Sequence, residues 1–280
     1  MSRQPRSSPG LFLCASALDA VTVNLMPKFA ANLTMLFTEL DFIDRFEGAA
    51  RSGFEAVEYL FPYGYDPGML KSRLAEFGLT QVLHNLPAGN WAGGERGIAV
   101  LPDRIDEFEA GVDRAIAYAT ALGCPRVNCL AGIKPPELDA ATARQTMIRN
   151  LRYAAARLDT AGIRLLIEPI NTRDLPGFFL SSTTQAVDII DSVGSDNLFL
   201  QFDIYHMHVM GEDVAGTIEH QVRRIDHMQL ADAPGRHEPG TGGIDYRSLF
   251  DLIDRLEYGG WIGCEYNPLT STEQSFAWMS

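Results

Sequence analysis

Residues 162–171 read Gly-Ile-Arg-Leu-Leu-Ile-Glu-Pro-Ile-Asn. A glycine stops whatever precedes it. A short apolar run, Arg164–Glu168, follows and ends on a carboxylate, with a proline next. Such a run has the length and branched content of a strand buried on both faces, as parallel strands are. Upstream, Ala140 to Ala161 carries a helical period and ends at Gly162, the usual C-terminal signal. Helix, glycine, apolar strand, polar strand end is therefore the unit to look for elsewhere.

It recurs along the chain. Further apolar runs lie at Phe29–Leu33, Ala56–Tyr59, Gln81–Asn85, Arg126–Leu130, Leu198–Asp203, Ile225–Gln229 and Trp261–Glu265. With Arg164–Glu168 they make eight, whose starts are 27, 25, 45, 38, 34, 27 and 36 residues apart. A barrel of eight βα units needs roughly 31 residues per unit. Helical periods fall between them at Phe42–Ser52, Asp103–Leu122 with Asp103 as N-cap, Thr183–Val193 and Tyr246–Leu256. This order predicts a single-domain α/β fold, a (β/α)8 TIM barrel over residues 26–280. A doubly wound open sheet competes, but eight units and the absence of GxGxxG after the first strand count against it. The longest irregular stretch, Leu86–Pro102, is glycine-rich and reads as an active-site loop rather than a domain boundary.

Composition fits a soluble globular chain: 280 residues, 46% hydrophobic, 21% charged. Its net charge of −13 repels a phosphate backbone and argues against nucleic-acid binding. No segment reaches the roughly 18 apolar residues of a membrane span. Cys14, Cys124, Cys129 and Cys264 form no CxxC pair and suit free thiols in a reducing cytoplasm. Residues 1–25 read as an extension outside the fold. Arg3 and Arg6 before Leu11–Leu18 imitate a secretory signal only loosely.

In a barrel of this kind chemistry collects at the carboxyl ends of the strands. Four successive strands end at Glu168, Asp203, Gln229 and Glu265. Carboxylates buried side by side cannot all stay ionised without a cation. A divalent metal held by these four is the simplest compensation, and an all-oxygen set suits Mg²⁺ or Mn²⁺. Around it stand His206, in the loop above the sixth strand, His84 at the end of the third, and Glu58 on the second. Arg96, in Gly94-Glu95-Arg96-Gly97, reads either as a fork for a carboxylate substrate or as a surface arginine. His227 reads as a core or supporting residue. Gly240-Thr241-Gly242-Gly243 reads as a turn rather than a phosphate cradle.

These stretches resemble the hydroxypyruvate isomerase family of metal-dependent, xylose-isomerase-like barrels. The matching segments include Phe29-Ala30-Ala31-Asn32-Leu33, Val57-Glu58-Tyr59, His84-Asn85-Leu86-Pro87-Ala88-Gly89 and Gly94-Glu95-Arg96-Gly97-Ile98. They continue through Ile167-Glu168-Pro169-Ile170-Asn171, Asp203-Ile204-Tyr205-His206-Met207, Glu238-Pro239-Gly240-Thr241-Gly242 and Gly263-Cys264-Glu265-Tyr266. The resemblance implies a divalent metal on Glu168, Asp203, Gln229 and Glu265, with Glu168 and Glu265 moving protons as catalytic residues. It implies interconversion of hydroxypyruvate and tartronate semialdehyde, with His206, Arg96, His84 and Glu58 around the substrate. Isomerisation of 2-dehydrotetronate or epimerisation of a ketose is the alternative within the class. A metal-dependent endonuclease on a similar barrel and a non-catalytic binding protein are the alternatives outside it. A homodimer or homotetramer is expected. The final helix after the eighth strand is expected to be short.

Overall fold

The computed structural model describes Met1 and residues 27–279. Expectations for residues 1–25 and for Cys14 lie outside the described residues. Eight strands are present among the described residues: β1 (Lys28–Asn32), β2 (Ala56–Glu58), β3 (Thr80–Asn85), β4 (Arg126–Cys129), β5 (Arg164–Ile167), β6 (Leu198–Asp203), β7 (Ile225–Leu230) and β8 (Trp261–Cys264). Every neighbour in sequence is a parallel neighbour in space, and β8 pairs with β1 to close the barrel. Eight helices connect them: α1 (Arg45–Arg51), α2 (Pro67–Phe77), α3 (Ile105–Leu122), α4 (Ala140–Thr160), α5 (Thr183–Val193), α6 (Ile204–Met210), α7 (Val214–Gln221) and α8 (Tyr246–Arg255). The barrel expected from the apolar spacing is the barrel observed.

The differences are local and have local causes. The pairing of β5 and β8 ends one residue before Glu168 and Glu265, leaving both carboxylates just past the ladder at the mouth. Asp103 does not cap α3. The helix starts at Ile105 with Arg104 in the cap position, and Arg104 is drawn instead to Glu95, at 2.8 Å. The Phe42–Ser52 helix begins as a 3-10 turn at Phe42–Asp44. Three helices have no counterpart in the sequence reading. Of these, α2 carries a clear start signal: Asp66 accepts from the Met69 amide at 2.9 Å and Pro67 opens the helix. His206 lies not in a loop but in α6, because the Asp203 carboxylate caps that helix by accepting from the Tyr205 amide at 2.8 Å.

Two cores divide the apolar residues. The larger lies between barrel and helices. The smaller, inside the barrel, is Ala30, Ala56, Val82, Leu83 and Leu166 packed with Phe199 and Trp261. Side chains alternate along a strand with period two. The positions after Ala30, Ala56 and Leu166 on the same face are therefore Asn32, Glu58 and Glu168, so an apolar plug gives way to a polar mouth. After β8 the chain ends in a 3-10 helix, Glu273–Met279, short as expected yet well packed. Phe276 meets Phe54 at 5.1 Å and Trp278 meets Phe29 at 5.0 Å between ring centroids. Among the described residues no helix is long and apolar enough to cross a membrane.

The Leu86–Pro102 loop is docked backbone to backbone. Gly97 has φ +116°, and a Cβ there would stand 2.3 Å from the Leu130 carbonyl oxygen. Only glycine permits both. Gly97→Ala is therefore expected to cost about 1–3 kcal/mol through overpacking and backbone strain, read as a lower midpoint in urea unfolding.

Candidate active site

Glu168, Asp203 and Glu265 converge at the carboxyl end of the barrel. One oxygen of each lies within 4.8 Å of the others, together with a His206 ring nitrogen, and all four residues are buried. Three of the four residues expected to form the centre are thus brought together, with His206 beside them. Burial and the neighbouring carboxylates push the Glu168 carboxyl well above its ordinary range. Burial outweighs the nearby Arg236 guanidinium at Glu265 and raises it to about 8. Asp203 spends Oδ1 on α6 backbone amides, while buried Oδ2 faces the centre with no hydrogen-bond partner. Clustered carboxylates with an orphaned inward oxygen are the donor set a hard divalent cation takes. The centre fits a metal ion.

His206 is not suited to be one of its ligands. The Asn171 side-chain oxygen accepts from the amides of Arg173 at 3.1 Å and Asp174 at 2.8 Å, which fixes the amide orientation. Its nitrogen must then donate to His206 Nδ1, 2.7 Å away. With Nδ1 accepting, the neutral ring carries its proton on Nε2, which faces Asp203 at 3.5 Å and Glu168 at 3.9 Å. Burial lowers the imidazole pKa to about 4, so the ring stays neutral at pH 7. His206 is an N–H donor held over the centre.

Gln229 stands beside Asp203, its register partner across β6 and β7. A carboxylate only accepts, so the amide nitrogen must face Glu58, to which it donates at 2.7 Å, leaving the oxygen on the opposite side. That oxygen accepts from Gln201 at 2.6 Å and keeps a second lone pair. Glu58 also accepts from His227 Nε2 at 2.6 Å and from Asn32 at 2.9 Å, and Asn32 reaches Glu265 at 3.3 Å. Gly263 makes room for this: a Cβ there would stand 2.2 Å from Glu58. Glu58 and the supporting His227 are thus the underside of the site. His84 is buried beside Gln81 at 3.3 Å and under Tyr63, away from the carboxylates. Asn128 links the two regions, donating to Glu168 at 3.0 Å and to Asn85 at 3.2 Å.

The cation expected at Arg96 is found elsewhere. Arg96 stacks on Trp91 at 4.1 Å and donates to the Trp91 and Glu95 carbonyls, within its own loop. The residue at the centre is Arg236, 2.6 Å from Glu265 and 3.6 Å from Asp203. It was missed because it lies in the β7–α8 loop with no strand pattern. The signal that could have found it is the nearby glycine run. Buried Asp232 accepts from the Gly240 and Gly242 amides at 2.8 and 2.9 Å, so this run is a turn folded around a carboxylate, as expected. That loop delivers Arg236, held at φ +56°.

Two pH dependences follow. A carboxyl whose pKa is raised holds a proton at pH 7 that an incoming cation must expel. Binding of Mg²⁺ or Mn²⁺ should release protons and tighten as pH rises towards about 8, the Glu265 value, measured by calorimetry in buffers of different ionisation heat. Burial also lowers His84 from 6.5 to about 3. Above pH 6.5 the ring is neutral folded or unfolded; below it only the unfolded chain takes up the proton, so stability falls with pH. The raised Glu168 and Glu265 carboxyls act in the opposite sense over the same interval, so the His84 share is read by difference: from pH 7 to pH 5, His84→Asn should lose less melting temperature, or gain more, than the unsubstituted chain.

Residues 46–280 match the xylose isomerase-like TIM barrel family. The chain is 52% identical over 254 residues to hydroxypyruvate isomerase of Escherichia coli K12, covering 91% of this chain and 98% of that protein. It is 45% identical over 254 residues to 2-oxo-tetronate isomerase of Cupriavidus necator, again covering 91% and 98%. A solved structure described as an AP endonuclease, family 2, from Brucella melitensis is 43% identical, with a TM-score of 0.89 over 91% of this chain and 98% of that one. With the closed barrel and its carboxylate mouth, these likenesses show that the chain belongs to the xylose isomerase-like TIM barrels and, among them, to the hydroxypyruvate isomerase family of isomerases.

Proposed function

We propose that the chain interconverts hydroxypyruvate and 2-hydroxy-3-oxopropanoate (tartronate semialdehyde) by moving a proton between neighbouring carbons. The observation that carries this reading is the pair Glu168 and Glu265 at one buried centre, beside the Arg236 guanidinium. Two carboxyl groups on one substrate serve as the base that takes a proton from one carbon and the acid that returns one to the next. Arg236 presents a planar fork to the substrate carboxylate. His206 donates its Nε2 proton to a substrate oxygen and takes it back. The plug and the buried supports below keep water from the reacting carbons.

A Mg²⁺ or Mn²⁺ ion, when bound by Glu168, Asp203, Gln229 and Glu265, supplies Lewis acidity to the substrate's carbonyl and hydroxyl oxygens. Glu58 positions Gln229 for that set, and Asn128 and Asn32 orient the two glutamates. The reaction's redox change is internal to the substrate and requires no nicotinamide or flavin. Burial raises the Cys124 and Cys129 thiols to about 12, which leaves them unreactive at neutral pH.

The second reading is a four-carbon 2-oxo-tetronate substrate, supported by relatives of that name at 45% and 44% identity. The endonuclease description of the Brucella structure is not carried over, because a net charge of −13 opposes a DNA backbone.

Glu168→Gln and Glu265→Gln are each expected to lower isomerisation of hydroxypyruvate by about 10²–10⁴. Near-normal turnover in both would end the proposal. Chelation should abolish activity, with recovery on adding Mg²⁺ or Mn²⁺. A panel of three- and four-carbon 2-oxo acids distinguishes the two substrates.

A further inference from the structure

The opposite end of the barrel holds a second polar cleft. It has a volume of about 460 Å³ and is lined by Arg126, Arg164, Arg223, Asp226 and the turn Glu257–Gly260. Arg126 opens β4 and Arg164 opens β5, paired in register, while Asp226 is the second residue of β7. All three stand at the amino ends of their strands, away from the mouth that holds Glu168 and Glu265.

Arg126 is the informative side chain. Only 8% of it is exposed, and it reaches Asp226 through Nε alone, at 2.6 Å to the carboxylate and 3.1 Å to the carbonyl. Both of its terminal amino groups are without a partner among the described residues. Neither amino group is closed off from solvent, so both open onto the cleft. Arg164 binds the other Asp226 oxygen through Nη1, leaving Nε and Nη2 free among the described residues. Arg223, exposed at the rim, makes no hydrogen bond among the described residues. Three guanidiniums therefore face two carboxylates. Asp226 is shared by two of them, and Glu257 forms no ion pair among the described residues. In a chain of net charge −13 the cleft is locally cationic.

We propose that this cleft is a binding site for a small oxyanion, a phosphate or carboxylate group, distinct from the isomerase centre. Asp226 holds the Arg126 and Arg164 forks in place, and the unspent amino groups match the oxygen spacing of such a group. The volume suits a small metabolite.

The test is calorimetric titration of the metal-loaded protein with inorganic phosphate, and separately with succinate, at constant ionic strength against a chloride control. Saturable one-site binding of either is expected, and which one binds identifies the source of the oxyanion. Arg223→Gln, which breaks no contact described here, and Arg164→Gln should each weaken binding by about tenfold. Both should leave turnover of hydroxypyruvate unchanged. A rise in melting temperature with ligand should shrink in parallel. No saturable binding of either anion overturns the proposal. Binding that survives both substitutions but vanishes in Arg236→Gln also overturns it, since it places the anion at the catalytic mouth.

Discussion

Three carboxylates in one dry mouth repel one another, and everything built around the centre answers that repulsion. Glu168, Asp203 and Glu265 come from three different strands, so the closed barrel forces their approach. Desolvation, with the neighbouring carboxylates, pushes the Glu168 carboxyl up, and desolvation raises Glu265 to about 8. Arg236 relieves part of the charge through Glu265 and Asp203. The loop that carries Arg236 is held by the Asp232 carboxylate, which accepts from the Gly240 and Gly242 amides.

The residues beneath the centre decide orientation rather than charge. Amides have two unlike ends, and each one here is read by a partner that tolerates only one. Backbone donors fix Asn171, which then fixes the His206 tautomer; the Glu58 carboxylate fixes Gln229. Rotating either amide would set donor against donor or oxygen against carboxylate. Glu58 carries this role because it is buried among three donors, and Gly263 because any larger residue would occupy the same space.

The barrel was legible because its signals are repetitive. Eight apolar runs at near-regular spacing leave few other folds, and the strand-end carboxylates stand out against those runs. What escaped were features without a period. Helices α6 and α7 are short, and the first is nucleated by the Asp203 side chain, which its sequence pattern does not announce. Arg236 sits in an irregular loop whose shape depends on a buried carboxylate some residues away. Arg96 was favoured because its glycine surroundings look like a ligand loop, yet Gly97 serves backbone packing against Leu130. Sequence shows which residue types are present in a loop, whereas the direction of a long side chain is set by tertiary contacts.

The cations of the amino-terminal cleft do not relieve the mouth. On β5, Arg164 and Glu168 are four residues apart, which a strand's rise makes about 13 Å. Between them lies Leu166, part of the apolar plug with Ala30 and Ala56. At that distance the Arg164 guanidinium is nearer to Asp226 and to solvent than to any carboxylate of the centre, and solvent screens it. Each end of the barrel must therefore balance its own charge: the mouth lacks positive charge and the cleft lacks negative charge. The same alternation of inward residues that places an acid at one end of β5 places a base at the other, and the plug between them keeps the two from cancelling.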